Sequence, residues 1–282
     1  MMRANLPEQL ALARTPVTIG RFQVFRKGND LYQSETEVDP LGDATGHSTY
    51  KLEYAIGSGT RGFGFVVKRD GRLVEAPLSF YTKTGKWDLS PGYDNAEPGF
   101  DRFITAECVA CHSGRSQPVP NRLAMYLDPP FLELPIGCEN CHGPGRQHVN
   151  SAGKAPLVNP ARLAPRESEA ICLKCHQGNE LSADSDLLAH GASMKLSRCF
   201  DASNGKLTCI TCHDPHVPVP PAARPAFFRA KCLTCHTDAS CGLPKQQRGA
   251  VDDCSGCHMP KRDLPEIPHT ALTNHRVGVH RP

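Results

Sequence analysis

The first third of the chain alternates apolar and polar residues with a period of two. The alternation is clearest in YKLEYAIGSG (50–59) and FGFVVKRDGRLVEAPLSFY (63–81). This period is typical of strands with one buried face, and Asp70-Gly71 is a two-residue hairpin signal. The pattern predicts an antiparallel β module over residues 17–95. Pro, Gly and Asn residues within 87–100 indicate a linker after it.

The rest of the chain lacks this alternation, and its cysteines follow a different regularity. Six copies of Cys-x-x-Cys-His use twelve of the fourteen cysteines. The cysteines are Cys108, Cys111, Cys138, Cys141, Cys172, Cys175, Cys209, Cys212, Cys232, Cys235, Cys254 and Cys257, and the histidines are His112, His142, His176, His213, His236 and His258. The motifs start 30, 34, 37, 23 and 22 residues apart, which is too irregular for a stacked repeat.

Paired cysteines at this spacing serve three chemistries, namely zinc sites, redox dithiols and c-type haem attachment. Only haem attachment requires a histidine directly after the second cysteine, because the cysteines form two thioethers and the histidine ligates iron. All six copies have this histidine. The motifs therefore predict six covalently bound haem c groups, with zinc ribbons and redox dithiols as the alternatives.

The fold class follows from the number of residues available for each haem. From Cys108 to Pro282 there are 175 residues, or about 29 per motif. This is too little protein to wrap each macrocycle separately, so we expect the haems to pack together and form the core. The predicted fold is a multihaem cytochrome c, mostly short helices and loops around a haem core, with a small N-terminal antiparallel β module. Residues 1–100 are predicted to form the β module and linker, and residues 101–282 the six-haem domain.

Histidines outside the motifs nearly match the six distal positions of low-spin haems. The predicted distal iron ligands are His148, His216, His269, His275, His190 and His47, with His280 as a further candidate. His148 and His216 lie too close to their own motifs to reach across their own haem, so each is expected to serve a neighbour. Methionine is the rival ligand: Met125 and Met194 are candidates, whereas Met259 directly follows His258 and cannot reach the far face of that haem.

Two cysteines remain outside the motifs, Cys199 and Cys241. In an oxidising compartment spare cysteines more often pair than stay free. The sequence therefore predicts a Cys199–Cys241 disulfide that closes a loop around the fourth and fifth motifs.

Charge and location limit the partners. The formal charge is +3 at pH 7, and six oxidised haems of about −1 each would bring it to about −3. No basic run indicates nucleic-acid binding, and no stretch approaches the length of a membrane span.

Covalent haem attachment occurs outside the bacterial cytoplasmic membrane, which predicts a periplasmic or extracellular protein. The N-terminus has no segment suited to a signal peptide, so we expect the native gene to extend upstream, with a signal sequence and a seventh motif.

Several ordered stretches resemble a family of bacterial multihaem c-type cytochromes related to the cytochrome c-554 type of haem packing. They are YAIGSG, LVEAPLSFYTKTGKWDLSPGYD, CENCHGPGRQHV, VNPARL, LTCITCHDPH, CHMP and HTALTNHR. The resemblance implies a haem-chain fold with a small β insertion, ligation of each iron by two histidines, and export.

The sequence is compatible with three functions. The first is electron transfer among redox partner proteins, and the second is reduction or oxidation of a small nitrogen or sulfur oxyanion at one open haem. The third is a conductive or sensing subunit. Multihaem nitrite reductases commonly carry lysine in place of the histidine of one motif, and hydroxylamine oxidoreductases cross-link a tyrosine downstream of their motifs. All six motifs here end in histidine and no tyrosine follows Tyr126, which favours electron transfer, and no catalytic residue is predicted.

Overall fold

The structure is a computed structural model that describes residues 2–4, 11–13, 15–93, 99–176, 190–248, 252–263 and 271–280. The strands within those ranges are β1 (Met2–Ala4), β2 (Val17–Ile19), β3 (Phe22–Lys27), β4 (Asp30–Val38), β5 (Ala44–Ile56), β6 (Gly62–Arg69), β7 (Arg72–Glu75), β8 (Leu78–Tyr81), β9 (Lys86–Leu89), β10 (Arg115–Pro118), β11 (Tyr126–Glu133), β12 (Lys261–Asp263) and β13 (Ala271–Thr273).

The described helices all follow the sheet in sequence. They are α1 (Ala106–His112), α2 (Glu139–His142), α3 (Arg146–Asn150), α4 (Pro165–His176), α5 (His190–Lys195), α6 (Arg198–Ala202), α7 (Cys209–Cys212), α8 (Arg224–Cys232) and α9 (Cys254–His258). Short 3-10 turns lie at Ala11–Ala13, Gly99–Asp101, Pro160–Arg162, Pro221–Ala223, Asp238–Ser240 and Lys245–Gln247. None of the described helices is both long enough and apolar enough to cross a bilayer.

The first nine strands form one antiparallel sheet, which confirms the predicted β module. Its order is β2-β3-β4-β5-β6-β8-β9, with β1 paired to β5 and β7 to β6. Asp70 and Gly71 both have positive φ, 49° and 75°, as a type I′ hairpin turn requires. Arg69 and Arg72 pair directly across that turn. Strands β2 to β9 run from Val17 to Leu89, within the range of 17–95 that the sequence predicted.

One face of this sheet carries a protein core of its own. Phe22, Leu31, Leu52 and Phe65 are almost completely buried, and Phe65 stacks on Trp87 with ring centroids 5.2 Å apart. Burial of each such side chain contributes about 1.5–3 kcal/mol. The β module is therefore stabilised by aromatic and aliphatic packing that involves no cysteine motif.

The expected predominance of short helices is not confirmed for the whole chain. Two further hairpins, β10–β11 and β12–β13, lie next to the first and last motifs. Prolines within β10 and β11 removed the regular alternation by which strands are recognised in sequence. The described residues divide into two compact units, one ending at Asn140 and the other beginning at Cys141.

Candidate haem-binding site

Each Cys-x-x-Cys-His motif lies on a short helix or at its end. Five motifs lie wholly or almost wholly on α1, α2, α4, α7 and α9. In the fifth motif α8 ends at Cys232, and the chain continues as a turn in which the His236 amide donates to the Cys232 carbonyl at 3.0 Å. Residues spaced i, i+3 and i+4 share one helix face. The two cysteines and the histidine of a motif are thus presented on the same side.

Side-chain caps explain why two of these helices begin where they do. The Thr208 amide donates to the Thr211 hydroxyl at 3.0 Å, as part of a capping box at the start of α7. Asp253 caps α9, where its carboxylate accepts the Ser255 amide at 3.0 Å. The residues flanking the cysteines therefore specify the helical turn that carries them.

The motif cysteines are accessible for covalent attachment, because none of the twelve is buried. Neighbouring motifs also approach one another within the second unit. Cys172, followed by burial, raises the pKa of the Cys209 thiol, and burial, followed by the charge of Cys254, raises the pKa of the Cys232 thiol. The third motif therefore lies beside the fourth, and the fifth beside the sixth. Close spacing of this kind is what a packed group of haems requires.

Backbone carbonyls fix the orientation of four histidines through Nδ1. Nδ1 of His142 donates to the Val158 carbonyl at 2.7 Å, and Nδ1 of His148 donates to the Ala155 carbonyl at 2.6 Å. Nδ1 of His258 donates to the Gly278 carbonyl at 2.9 Å, and Nδ1 of His275 donates to the Thr273 carbonyl at 3.0 Å. A carbonyl oxygen only accepts, so the proton resides on Nδ1 and the lone pair of Nε2 remains available to a metal. A backbone partner on the opposite nitrogen is typical of histidines that bind metals.

Three motif histidines lie beside a histidine from outside the motifs. The pairs are His142 with His216 (ring centroids 5.9 Å apart, rings 14° from parallel), His176 with His190 (5.5 Å, 13°) and His213 with His275 (6.2 Å, 34°). Two metal–imidazole bonds of about 2 Å each, plus the two ring radii, place ring centres about 6 Å apart. The ring separations at these pairs therefore match the spacing of two imidazoles that share one iron ion.

Two of the non-motif histidines also stack on each other, with centroids of His190 and His275 4.1 Å apart. That distance is too short for a metal between them, so they belong to different pairs. Hydrogen bonds hold the two segments together, from Ser193 Oγ to Asn274 Oδ1 (3.3 Å) and from the Val277 amide to Ser197 Oγ (2.8 Å). Sequence reasoning missed these contacts, although His190 and Ser193 are spaced to share one face of α5.

Gly191 lies against Leu173 where α4 and α5 pack together. A Cβ at position 191 would lie 2.4 Å from Leu173 Cδ2, so a larger residue there would require the Leu173 side chain to move. Burial, followed by the positive charges of His275, His176 and His213, lowers the pKa of His190 to about 4. His190 is therefore neutral at physiological pH, which is the form that ligates metals.

The other predicted ligands are placed as follows. His148 carries the Nδ1 contact described above, and His269 lies outside the described residues. His47 is exposed on β5, with Nδ1 3.3 Å from the Thr36 hydroxyl and Nε2 3.2 Å from that of Thr49. His280 has its Nε2 2.9 Å from the Arg276 carbonyl.

The other three motif histidines are not paired with a second histidine among the described residues. Within the described ranges, no second histidine ring stacks on His112, His236 or His258. Of the two candidate methionines, Met194 is buried and Met125 is half-buried.

The predicted Cys199–Cys241 disulfide is wrong, since both residues are free thiols. Cys199 interacts electrostatically with Cys212 and Cys232 of the fourth and fifth motifs. Cys241 lies in a separate turn, where Arg248 donates to its carbonyl at 3.3 Å. The two spare cysteines thus occupy different local structures, and their number alone did not imply proximity.

Comparison with known proteins gives limited matches. No family model matches the chain. A solved structure described as the outer cell wall cytochrome OcwA aligns with a TM-score of 0.49 and 15% identity, covering 80% of this chain and 68% of OcwA.

Two curated relatives from Geobacter sulfurreducens match in sequence. The C-type polyheme cytochrome OmcB (strain ATCC 51573 / DSM 12127 / PCA) is 29% identical over 109 residues, which is 38% of this chain and 13% of OmcB. OmcC from the same strain is 35% identical over 74 residues, covering 25% of this chain and 9% of OmcC. The matches thus span only a small part of those relatives. Together with the six motifs, these sequence matches support the assignment of the chain as a multihaem c-type cytochrome with covalently bound haem.

Proposed function

We propose that this protein transfers electrons between redox partner proteins through six covalently bound haems, most of them ligated by two histidines. The observation that carries the proposal is the pairing of His142, His176 and His213 with histidines from outside the motifs. An iron ion held by two histidines would have no open position for a substrate. Such a site would suit electron transfer better than catalysis.

The roles of the residues follow from their positions. In each motif the cysteines would anchor the haem covalently and the adjacent histidine would ligate its iron. His216, His190 and His275 would supply a second ligand in three cases, and the Nδ1 contacts of His142 and His275 hold their rings in place. When bound, haem supplies a one-electron redox couple that alternates between ferric and ferrous iron.

The closeness of consecutive motifs supports electron transfer from one haem to the next, rather than separate haems that act alone. Cys172 raises the pKa of the Cys209 thiol, and Cys254 contributes, after burial, to the raised pKa of the Cys232 thiol, so consecutive attachment points lie close together. His216 follows the fourth motif in sequence but lies beside His142 of the second. A ligand donated from the segment of one motif to the haem of another would link the two haem sites through the protein chain.

We propose a periplasmic or extracellular location, because haem attachment takes place there.

The main alternative is catalysis on a small oxyanion at one open iron, and turnover assays separate it from electron transfer. The haem-loaded protein should exchange electrons rapidly with small redox dyes but show no substantial turnover of nitrite, hydroxylamine or tetrathionate. Dye-linked assays measure both rates, and electron paramagnetic resonance of the oxidised protein counts high-spin haems. Robust turnover of one substrate, with a high-spin signal that shifts when it is added, would contradict the proposal.

A further inference from the structure

A buried carboxylate lies next to the attachment points of the third and fourth motifs. The Glu169 side chain is only 7% exposed, and its Oε2 forms an ion pair with Lys195 Nζ at 2.9 Å. Its Oε1 is the one buried side-chain oxygen or nitrogen among the described residues that has no hydrogen-bond partner. A buried charged group with an unsatisfied oxygen lowers the stability of the folded protein. We therefore expect this carboxylate to have a function.

The position of Glu169 on α4 directs it toward the haem-bearing face. Cys172 follows it by three residues and His176 by seven, and both spacings place side chains on the same face of a helix. The charge on Glu169 also reaches Cys209 of the fourth motif. The pKa of the Cys209 thiol is raised by Cys172, by burial and, to a smaller extent, by the charge of Glu169. The carboxylate is therefore adjacent to two attachment points at once.

The partner cation does not cancel this charge inside the protein. The Lys195 side chain is 44% exposed, whereas Glu169 is almost fully enclosed. Water screens the ammonium more strongly than the carboxylate, because the effective dielectric constant falls with depth. The interior between α4 and α7 is thus exposed to a net negative field.

We propose that Glu169 is a buried charge that lowers the reduction potential of the haems attached through Cys172 and Cys209. A negative charge in a medium of low dielectric constant favours ferric iron, because ferric iron carries one more positive charge than ferrous iron. The effect acts on the energy of the redox couple and needs no contact with the iron. The proposal rests on the electron-transfer function given above and names a residue that tunes it.

The test is a redox titration of the haem-loaded protein, followed by its optical haem bands. E169Q keeps the shape of the side chain but removes its charge, so the midpoint of one or two haem components should shift upward. E169D retains the charge and should keep the wild-type curve. E167Q is the matched control, since Glu167 is an exposed carboxylate on the same helix, and it should leave every component unchanged.

Superimposed curves for wild type and E169Q, at equal haem content, would overturn the proposal, as would an equal shift in E167Q. If E169Q does not take up its haems, Lys195→Gln decides, because it leaves the carboxylate without its cation. A downward shift of the same components then supports the proposal, and an unchanged or upward curve overturns it. A wild-type protein that binds no haem would instead remove the proposed function itself.

Discussion

The protein produced in a host that attaches c-type haem should carry six covalently bound haems per chain, and the double variant Cys209→Ser/Cys212→Ser should carry five. Each attachment needs its own pair of thiols on one helix face, and α7 presents only these two cysteines. Pyridine haemochrome absorbance per chain and the intact mass under denaturing conditions both count the bound groups. A chain with no haem and bound zinc would contradict the assignment.

Cys199→Ser is the matched control for this count. Cys199 is not part of a motif, yet it interacts electrostatically with Cys212 and Cys232. It is therefore the spare thiol best placed to substitute for a lost motif cysteine. The Cys199→Ser variant should keep all six haems, and the triple variant with Cys209 and Cys212 should keep five. A loss of haem from Cys199→Ser alone would show that attachment does not follow the motifs.

Features set by neighbouring residues in sequence could be predicted. The period-two alternation and the Asp70-Gly71 turn specify strands and a hairpin, because side-chain direction and backbone φ are local properties. The attachment motifs were likewise visible, since their chemistry depends on spacing within a single helical turn. The hairpin β10–β11 escaped prediction because Pro118 and the prolines of β11 interrupt the pattern that marks a strand.

Contacts between distant segments could not be predicted from the sequence. The supply of histidines suggested distal ligands, but the partner of each depends on how the segments pack. Pairing of β12 with β13 brings the residues after Thr273 back to the last motif, where the Gly278 carbonyl accepts Nδ1 of His258. No periodicity encodes such a backbone acceptor. The mistaken disulfide has the same origin, since counting cysteines gives no information about distance.

The burial of Glu169 also depends on packing between segments. In sequence it is one acidic residue among the charged positions of α4, close to the exposed Glu167. Only the contact with α5, which supplies Lys195, distinguishes the two. A charged residue enclosed in this way is uncommon, and that is why it directs attention to a function that the motif pattern does not contain.

Substitution of His216 by alanine should convert one haem of the oxidised protein from low spin to high spin while leaving all six attached. His216 is held after the fourth motif by Asp214, whose carboxylate accepts the His216 amide at 2.9 Å. Its ring lies 5.9 Å from that of His142 and nearly parallel to it. Without the imidazole, the iron ligated by His142 loses one strong-field ligand. Electron paramagnetic resonance should show a high-spin ferric signal equivalent to one haem, with an unchanged haemochrome count.

The identity of the affected haem can be tested in backgrounds that lack one attachment site. With Cys138 and Cys141 replaced by serine, the haem next to His142 is absent, so His216→Ala should add no high-spin signal. With Cys209 and Cys212 replaced instead, the same substitution should still produce one. His280→Ala is the control, because Nε2 of His280 donates to the Arg276 carbonyl and is not available to a metal. A high-spin signal that disappears in the Cys209/Cys212 background, but persists in the Cys138/Cys141 background, would place His216 on its own motif's haem. That result would disprove the link between the second and fourth motifs.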